Sequence, residues 1–368
     1  MSAGEDPLVS SVDASAYTVP TDAPEGDGTL TWDSTTAVVV QVEAGGVLGT
    51  GWTYGPAACA DVVRSTLAPV VVGRAALDVP AGYHAMVKAL RNAGRPGIAS
   101  LAVSAVDTAL WDLKARLLGL PLHRLLGAVR ETVPVYGSGG FTTYDDRQLA
   151  HQVEGWMGAG LPRVKIKIGE SWGTNVTRDV ARTRATRSLV GDDVAVFVDA
   201  NGAYAPHQAV RVFDDLEPLG VSWFEEPVTS DDLDGLREVR HRVSCDVAAG
   251  EYGYDLTYFE RMCAARAVDC LQIDVTRCGG ITEWLRVAAT AAAHHLDVSG
   301  HCAPTLHAAL GAAVPNFRHL EYFHDHVRLE SMLFDGTPRL VDGSLVPSPE
   351  PGNGVTLRRE DADRYRAA

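Results

Sequence analysis

Lys165 and Lys167 alternate with Val164, Ile166 and Ile168 in RVKIKIG, and from there an acid or a histidine recurs through the second half of the chain: Asp199, Glu225, Glu251, Asp274, His301 and Glu321. By subtraction of residue numbers, the steps from Asp199 onward are 26, 26, 23, 27 and 20. Each residue closes, or just follows, a short apolar run rich in β-branched side chains. One strand and one returning helix fit in each step. Ionisable groups at the ends of successive strands are what an active site at the C-terminal mouth of a (β/α) barrel requires.

Three of the acids define a metal chemistry. Asp199 lies in VAVFVDAN, Glu225 in VSWFEEP, and Glu251 after DVAAG. Carboxylates on adjacent strand ends repel one another unless a cation lies between them, and a set made of oxygen alone selects a hard ion, Mg²⁺ first. Zinc is disfavoured: no His or Cys shares the set, and the H-x-H of a metallohydrolase barrel's first strand is missing from VPVYGSGG. Any one such acid is far more often a helix cap or a solvated loop residue; three in step are not explained that way.

The remaining groups suit proton transfer. Lys165 and Lys167 share one face of their strand while Val164, Ile166 and Ile168 take the other, so in a barrel both ammonium groups enter the interior. Two like charges held close are expected to lower each other's pKa, and a lysine so lowered can serve as a general base. Outside such a setting a K-x-K is simply an exposed strand edge. Asp274, in LQIDVTRCGG, and His301, in VSGHCAP, end neighbouring strands. A carboxylate accepting from one imidazole nitrogen fixes the tautomer and frees the other nitrogen for proton transfer. Glu321, in HLEYFHDH, is expected either to cap its strand end or, protonated, to donate to a developing oxyanion.

The elements that must position these groups follow from the alternation. From residue 133 the pattern predicts strands near 133–138, 163–168, 194–199, 221–225, 246–250, 270–274, 297–300 and 318–322, with amphipathic helices between them, such as DDRQLAHQVEGWMGAG and GITEWLRVAATAAAHH. Strict alternation implies parallel pairing, and about eight repeats imply an α/β barrel. Residues 8–55 instead alternate apolar and polar side chains in LVSSVDASAYTV, TTAVVVQVEA and VLGTGWTYG, separated by PTDAPEGDGT and AGG. These predict a three-stranded antiparallel sheet with one long acidic loop and one tight hairpin. In SAVDTALWDLKARLLG, Val106, Leu110, Leu113 and Leu117 make a helical apolar stripe, Asp107, Asp112, Lys114 and Arg116 point elsewhere, and Gly119 and Pro121 supply the stop. The turn-rich tail from 335 is expected to pack back on the N-terminal domain.

With 368 residues, there is room for a barrel of roughly 200 to 250 residues and a second domain of about 100. A formal charge of −15 without any Lys/Arg-rich run disfavours nucleic acid. Six cysteines form no C-x-x-C pair, and a chain of this size does not need disulfide staples, so reduced thiols are expected. MSAGEDPLVSSVDAS lacks the basic start and apolar stretch of a secretory signal, and no window approaches a membrane span. A cytoplasmic protein without membrane contact is therefore expected.

Taken together, the K-x-K pair, the D…E…E series, the Asp–His dyad, the strand-eight Glu and the helix ALWDLKAR resemble the mandelate racemase subgroup of the enolase superfamily, over nearly the whole chain. The resemblance implies an α+β capping domain carrying specificity loops (1–130), a (β/α)7β TIM-like catalytic barrel (131–334) and a C-terminal tail (335–368) that completes the cap. It implies that Asp199, Glu225 and Glu251 hold Mg²⁺, and that Lys167 and His301, the latter oriented by Asp274, carry protons on opposite faces of the substrate. Lys165 and Asn201 would sit beside the substrate carboxylate, Glu321 would hydrogen-bond the enediolate, and the protein would be a symmetric homo-oligomer.

The shared step is removal of a proton α to a carboxylate. Protonation of a leaving β-hydroxyl by His301 gives dehydration to a 2-keto-3-deoxy acid; reprotonation of the α carbon gives racemisation or epimerisation; cycloisomerisation uses the same parts. The loops PTDAPEGDGTLTW and GTGWTYG, the second offering Tyr54 as a substrate-binding residue, are rich in groups that pair with hydroxyls, with His324, Asp325 and His326 nearby. That lining favours dehydration of a sugar acid, a small-molecule carboxylate. A catalytically silent barrel that binds or scaffolds would not need the intact set.

Overall fold

The N-terminal alternation forms an antiparallel sheet of β1 (Val9–Gly26), β2 (Thr31–Ala44) and β3 (Val47–Tyr54) in a computed structural model of the protein, which describes residues 6–367. Residues 1–5, the start of the stretch read as lacking a signal, lie outside the described residues. β1 runs on through most of the segment expected as a long acidic loop. A register shift between Pro20 and Glu25 lets Glu25 and Gly26 pair with Trp32 and Thr31; proline has no N–H for a ladder, so the irregularity begins there. The turn is short because Asp27 Oδ1 accepts from the backbone N–H of Thr29 (2.6 Å) and of Leu30 (2.8 Å).

The tip of this ribbon rests on the barrel. A Cβ on Gly28 would come within 2.7 to 2.9 Å of the carbonyl oxygens of Ile168, Ala200 and Gly169, so only glycine fits. The N–H groups of Thr142 and Trp172 donate to the carbonyls of Gly26 and Gly28, each at 2.8 Å. The loop is thus latched beside the strand ends that carry Lys167 and Asp199.

The eight predicted strands are present: β4 (Val133–Gly139), β5 (Arg163–Lys167), β6 (Ala195–Asp199), β7 (Val221–Glu225), β8 (Asp246–Ala249), β9 (Cys270–Ile273), β10 (Asp297–Gly300) and β11 (Phe317–Phe323). They pair in parallel in chain order, and β11 returns to β4 to close the barrel. Outward residues such as Val164, Ile166, Val196 and Val198 are fully buried against the surrounding helices. Inside, Tyr136, Phe197 and Trp223 form an aromatic floor, with ring centroids 5.3 and 5.5 Å apart. His319 packs on this floor and pairs with Ser299, and Gln272 donates to the Tyr136 hydroxyl, while the acids and lysines gather above, at the mouth.

The cap helix spans Ile98–Leu117, beginning before Ser104 where the apolar stripe suggested. Two acids that leave its stripe are buried rather than solvated. Asp107 accepts from the N–H (2.9 Å) and hydroxyl (2.6 Å) of Thr282 in the barrel. Asp112 accepts from the N–H of Thr50 (2.7 Å), the N–H of Asn353 in the tail (2.6 Å) and Arg116 Nε (2.7 Å). Asp112→Ala would leave two buried N–H groups and a guanidinium without their acceptor; a loss of about 3 kcal/mol is expected. A urea midpoint that does not move would contradict this.

The tail joins both domains. Ser344–Val346 pairs antiparallel with β4, while Asn353 Nδ2 donates to the Thr50 carbonyl (2.9 Å). The helix after β11, His324–Leu333, is tied to the cap by Arg328 Nη2 donating to the Pro20 carbonyl (2.7 Å) and by Glu330 accepting from Tyr54 (3.2 Å). All six cysteines are free, and no helix of the described residues is long and apolar enough to cross a membrane.

Candidate active site

Strand register alone assembles the centre. Lys167 is paired with Asp199, and Asp199 with Glu225, across β5, β6 and β7. Glu251, Asp274 and His301 come just after β8, β9 and β10, and Glu321 lies within β11. All are buried, and one carboxylate oxygen from each of Asp199, Glu225 and Glu251 lies within 4.8 Å of the others. Glu251 Oε2 is buried and accepts no hydrogen bond, although His301 Nε2 is 3.2 Å away. Three convergent carboxylate oxygens, on a set where Glu251 also carries an unpartnered oxygen, fit a hard divalent cation.

Both lysines point inward as expected. Lys165 Nζ donates to Glu225 and lies 2.7 Å from Glu321 Oε1 and 3.5 Å from Asp199 Oδ2; Lys167 Nζ donates to Asp199 Oδ2 at 2.5 Å. Their protonation differs from the expectation of mutually lowered pKa values. Burial does work against both ammonium groups, but Glu225 and Glu321 around Lys165, and Asp199 beside Lys167, outweigh it and raise both. Like-charge repulsion between the lysines is real but smaller than the attraction of carboxylates that surround them.

Asp274 and His301 form the predicted dyad: Nδ1 is 2.8 Å from Asp274 Oδ2. Asp274 is held by the N–H and hydroxyl of Thr276, both at 2.7 Å. Burial alone would raise Asp274, but the bond from His301 and its charge bring it down to about 2. An ionised Asp274 must accept, so Nδ1 carries the proton and Nε2 faces the cavity. Burial likewise opposes the imidazolium, yet Cys302 beside it, then Glu251 and Glu321, raise His301.

Glu321 accepts from Ser138 Oγ (2.6 Å) and the N–H of Cys302 (3.1 Å), besides Lys165. Despite burial, Lys165 and His301 hold it well below the usual carboxylate range. These donors suit an ionised Glu321, which ties Lys165 to the loop after β10.

Above these groups lies a cavity of about 350 Å³ lined by Lys167, Glu251 and His301. The ribbon adds Asp27, Trp32, Ser34, Thr35 and Thr36 to its walls. Asn201 lines it too: its backbone is left-handed (φ +46°), its N–H donates to Asp199 Oδ1 at 2.9 Å, and its own Oδ1 is buried without a partner. Tyr54 presents its ring to the cavity, while its hydroxyl is engaged by Glu330 and the ring stacks on His326 with centroids 3.5 Å apart.

Two further groups are not among the sequence candidates. Arg277 lines the cavity, with Nη1 3.2 Å from Glu251 Oε1 and Nε 3.4 Å from Asp274 Oδ2, so one guanidinium spans the carboxylate set and the dyad. Its signal was its place three residues after Asp274. Glu226 is buried with φ +39° and an unpartnered Oε1, a strain that tends to occur at functional sites. The doubled acid of FEEP was its only trace.

Residues 148–362 match the family model for an enolase C-terminal domain-like segment, and residues 14–127 match that for the mandelate racemase/muconate lactonizing enzyme N-terminal domain. The chain is similar to a mandelate racemase/muconate lactonizing enzyme-like protein from Rubrobacter xylanophilus, with TM-score 0.94 and 50% identity over 98% of this chain and 100% of that one. It is 32% identical to the L-talarate/galactarate dehydratase of Salmonella typhimurium over 87% of this chain and 79% of the relative. The crystal structure of that dehydratase liganded with Mg and L-lyxarohydroxamate superposes with TM-score 0.91 and 28% identity, over 100% and 95% of the two chains. A Streptomyces coelicolor 3,6-anhydro-alpha-L-galactonate cycloisomerase is 32% identical over 89% and 90%.

Proposed function

We propose that this chain, which belongs to the mandelate racemase/muconate lactonizing enzyme family of the enolase superfamily, takes a proton from the carbon α to a carboxylate and thereby dehydrates a sugar acid to a 2-keto-3-deoxy acid. The observation that carries this reading is that Lys167 and His301 line one cavity beside the Asp199, Glu225 and Glu251 oxygens. Mg²⁺ held by those three acids would supply a Lewis-acidic charge for the substrate carboxylate and take up the negative charge that otherwise keeps Lys167 protonated.

Lys167, as the free amine, receives the α-proton, and the electron pair of that C–H bond passes into an enediolate. The Lys165 ammonium, fixed by Glu225 and Glu321, stabilises the added charge at the carboxylate. Asn201, on the same cavity wall, can turn its amide NH2 toward that charge as a donor. His301 then gives its Nε2 proton to the β-hydroxyl, which leaves as water, and the enol tautomerises to the 2-keto acid. Asp274 stabilises the imidazolium before that transfer. The hydroxyls of Ser34, Thr35 and Thr36 and the Asp27 carboxylate favour a polyhydroxylated substrate over an aryl one.

Incubating the Mg²⁺-loaded protein with mono- and diacid sugars in D₂O tests the reading. Formation of 2-keto acid from at least one of them is expected. Deuterium exchange or lactone formation without keto acid would replace dehydration by epimerisation or cycloisomerisation, the chemistry named for the Streptomyces relative. Neither exchange nor Mg²⁺ binding would leave a silent barrel.

The reading extends to a cytoplasmic homo-oligomer acting on a small acid without nucleic acid or membrane, with the division of labour at 1–130, 131–334 and 335–368. The charge of −15 supports the exclusion of polyanions, and the free thiols suit a reducing compartment. Light scattering of the eluting protein at a monomer's mass would remove the oligomer.

A further inference from the structure

A second cluster of ligand-type side chains lies where the cap ribbon meets the barrel. Asp22 and Glu25 come from β1, and His324 opens the helix after β11; one donor atom of each lies within 4.8 Å of the others. His324 Nε2 is 2.9 Å from Asp22 Oδ2, and both side chains are partly open to solvent. Glu25 is different: it is 0% exposed, its Oε2 accepts from Trp32 Nε1 at 2.9 Å, and its Oε1 has no partner at all. Beside it Asp325, also 0% exposed, gives Oδ1 to Arg328 and leaves Oδ2 unpartnered. Among these carboxylates Arg328 is bonded to Asp325 alone, and burial, then the Asp325 charge, pushes Glu25 up to about 9.

A buried carboxylate whose second oxygen is fixed by an indole N–H is arranged as metal ligands commonly are, with an orienting partner behind them. An imidazole with carboxylates suits Zn²⁺ or a similar borderline ion, whereas Mg²⁺ prefers oxygen alone. An open cavity of about 430 Å³, bordered by Asp22, His324 and His151, provides an approach from solvent.

We propose that Asp22, Glu25 and His324 form a second divalent-metal site, selective for a borderline transition ion over Mg²⁺, which clamps the cap ribbon to the barrel. Its occupancy reaches the catalytic cavity by a short route: Trp32, whose N–H holds Glu25, is a wall of that cavity, and Asp27 follows Glu25 by two residues. The site is independent of the reaction assigned to the barrel centre.

Untagged, chelator-stripped full-length protein, kept in excess Mg²⁺, would be titrated with Zn²⁺ by calorimetry and its bound metal counted after dialysis. One Zn²⁺ per chain that Mg²⁺ does not displace is expected. His324→Ala and the near-isosteric Glu25→Gln should each weaken it at least about 100-fold, more than loss of a mere orienting partner costs, while Glu225→Gln leaves it in place. Co²⁺ should show visible bands that His324→Ala abolishes. Zinc uptake unchanged by both substitutions, displacement by Mg²⁺, or no zinc at all would overturn the proposal, whatever the barrel centre proves to catalyse.

Discussion

Replacing His301 by asparagine should lower dehydration by about 10³-fold, within the range that a positioned general acid contributes, while deuterium exchange at the α carbon persists. Lys167→Ala should abolish both. The asymmetry follows from the geometry: the two groups stand in the same cavity but only Lys167 is assigned the α-proton, and only the imidazole Nε2, with its tautomer fixed by Asp274 at 2.8 Å, is assigned the leaving hydroxyl. Asparagine preserves size and polarity without a titratable proton, so a loss confined to elimination would be chemical. Asp274→Asn should mimic His301→Asn more weakly, because the imidazole remains but its tautomer is no longer enforced. Mass spectrometry of substrate recovered from D₂O reads the exchange and a carbonyl assay reads the elimination. Exchange lost in His301→Asn but retained in Lys167→Ala would show that the histidine, not the lysine, faces the α-proton.

The layer of ionisable groups at the mouth is legible because a barrel converts sequence period into spatial coincidence: each strand-helix unit returns the chain to the same mouth, so equal spacing in sequence becomes adjacency in space. The spacing places Lys167, Asp199 and Glu225 at neighbouring strand ends, and strand pairing sets them side by side. Protonation was not legible in the same way. The K-x-K pattern contains the repulsion between two lysines, but the attraction that outweighs it comes from Glu225, Glu321 and Asp199, on other strands, at distances no linear pattern contains. Asp107 and Asp112 are a similar case. The helical period shows only that they point away from the apolar stripe; their partners, Thr282, Thr50 and Asn353, are brought from the barrel, the sheet and the tail. The ribbon tip was mistaken for a long loop because PTDAPEGDGT is rich in turn formers; only the close seat of Gly28 on the carbonyls of Ile168, Gly169 and Ala200 requires those residues to be a latch.

Glu225→Gln should abolish Mg²⁺-dependent stabilisation and reduce turnover below detection in the same variant. In the native protein, Mg²⁺ at 100 times its Kd would add about 2.7 kcal/mol to stability by mass action, visible as a rise in melting temperature that a chelator reverses. The glutamine side chain keeps the volume and can still accept from Trp223 Nε1, which donates to Glu225 Oε2 at 2.9 Å. Its amide then turns a donor toward Lys165, where the native carboxylate accepts. The variant thus removes one anionic ligand and loosens the ammonium assigned to the developing enediolate, two losses that act on the same charge. Trp223→Phe separates them: it keeps the carboxylate and its bond to Lys165 but deletes the indole N–H that fixes the second oxygen. Loss of an orienting partner of this kind costs about 10- to 100-fold in metal affinity, so this variant should bind Mg²⁺ more weakly and recover turnover at high Mg²⁺, which Glu225→Gln should not. A Glu225→Gln protein whose melting temperature still climbs with Mg²⁺ would place the cation elsewhere, and the division of roles between Lys165 and Lys167 would have to be redrawn around that other site.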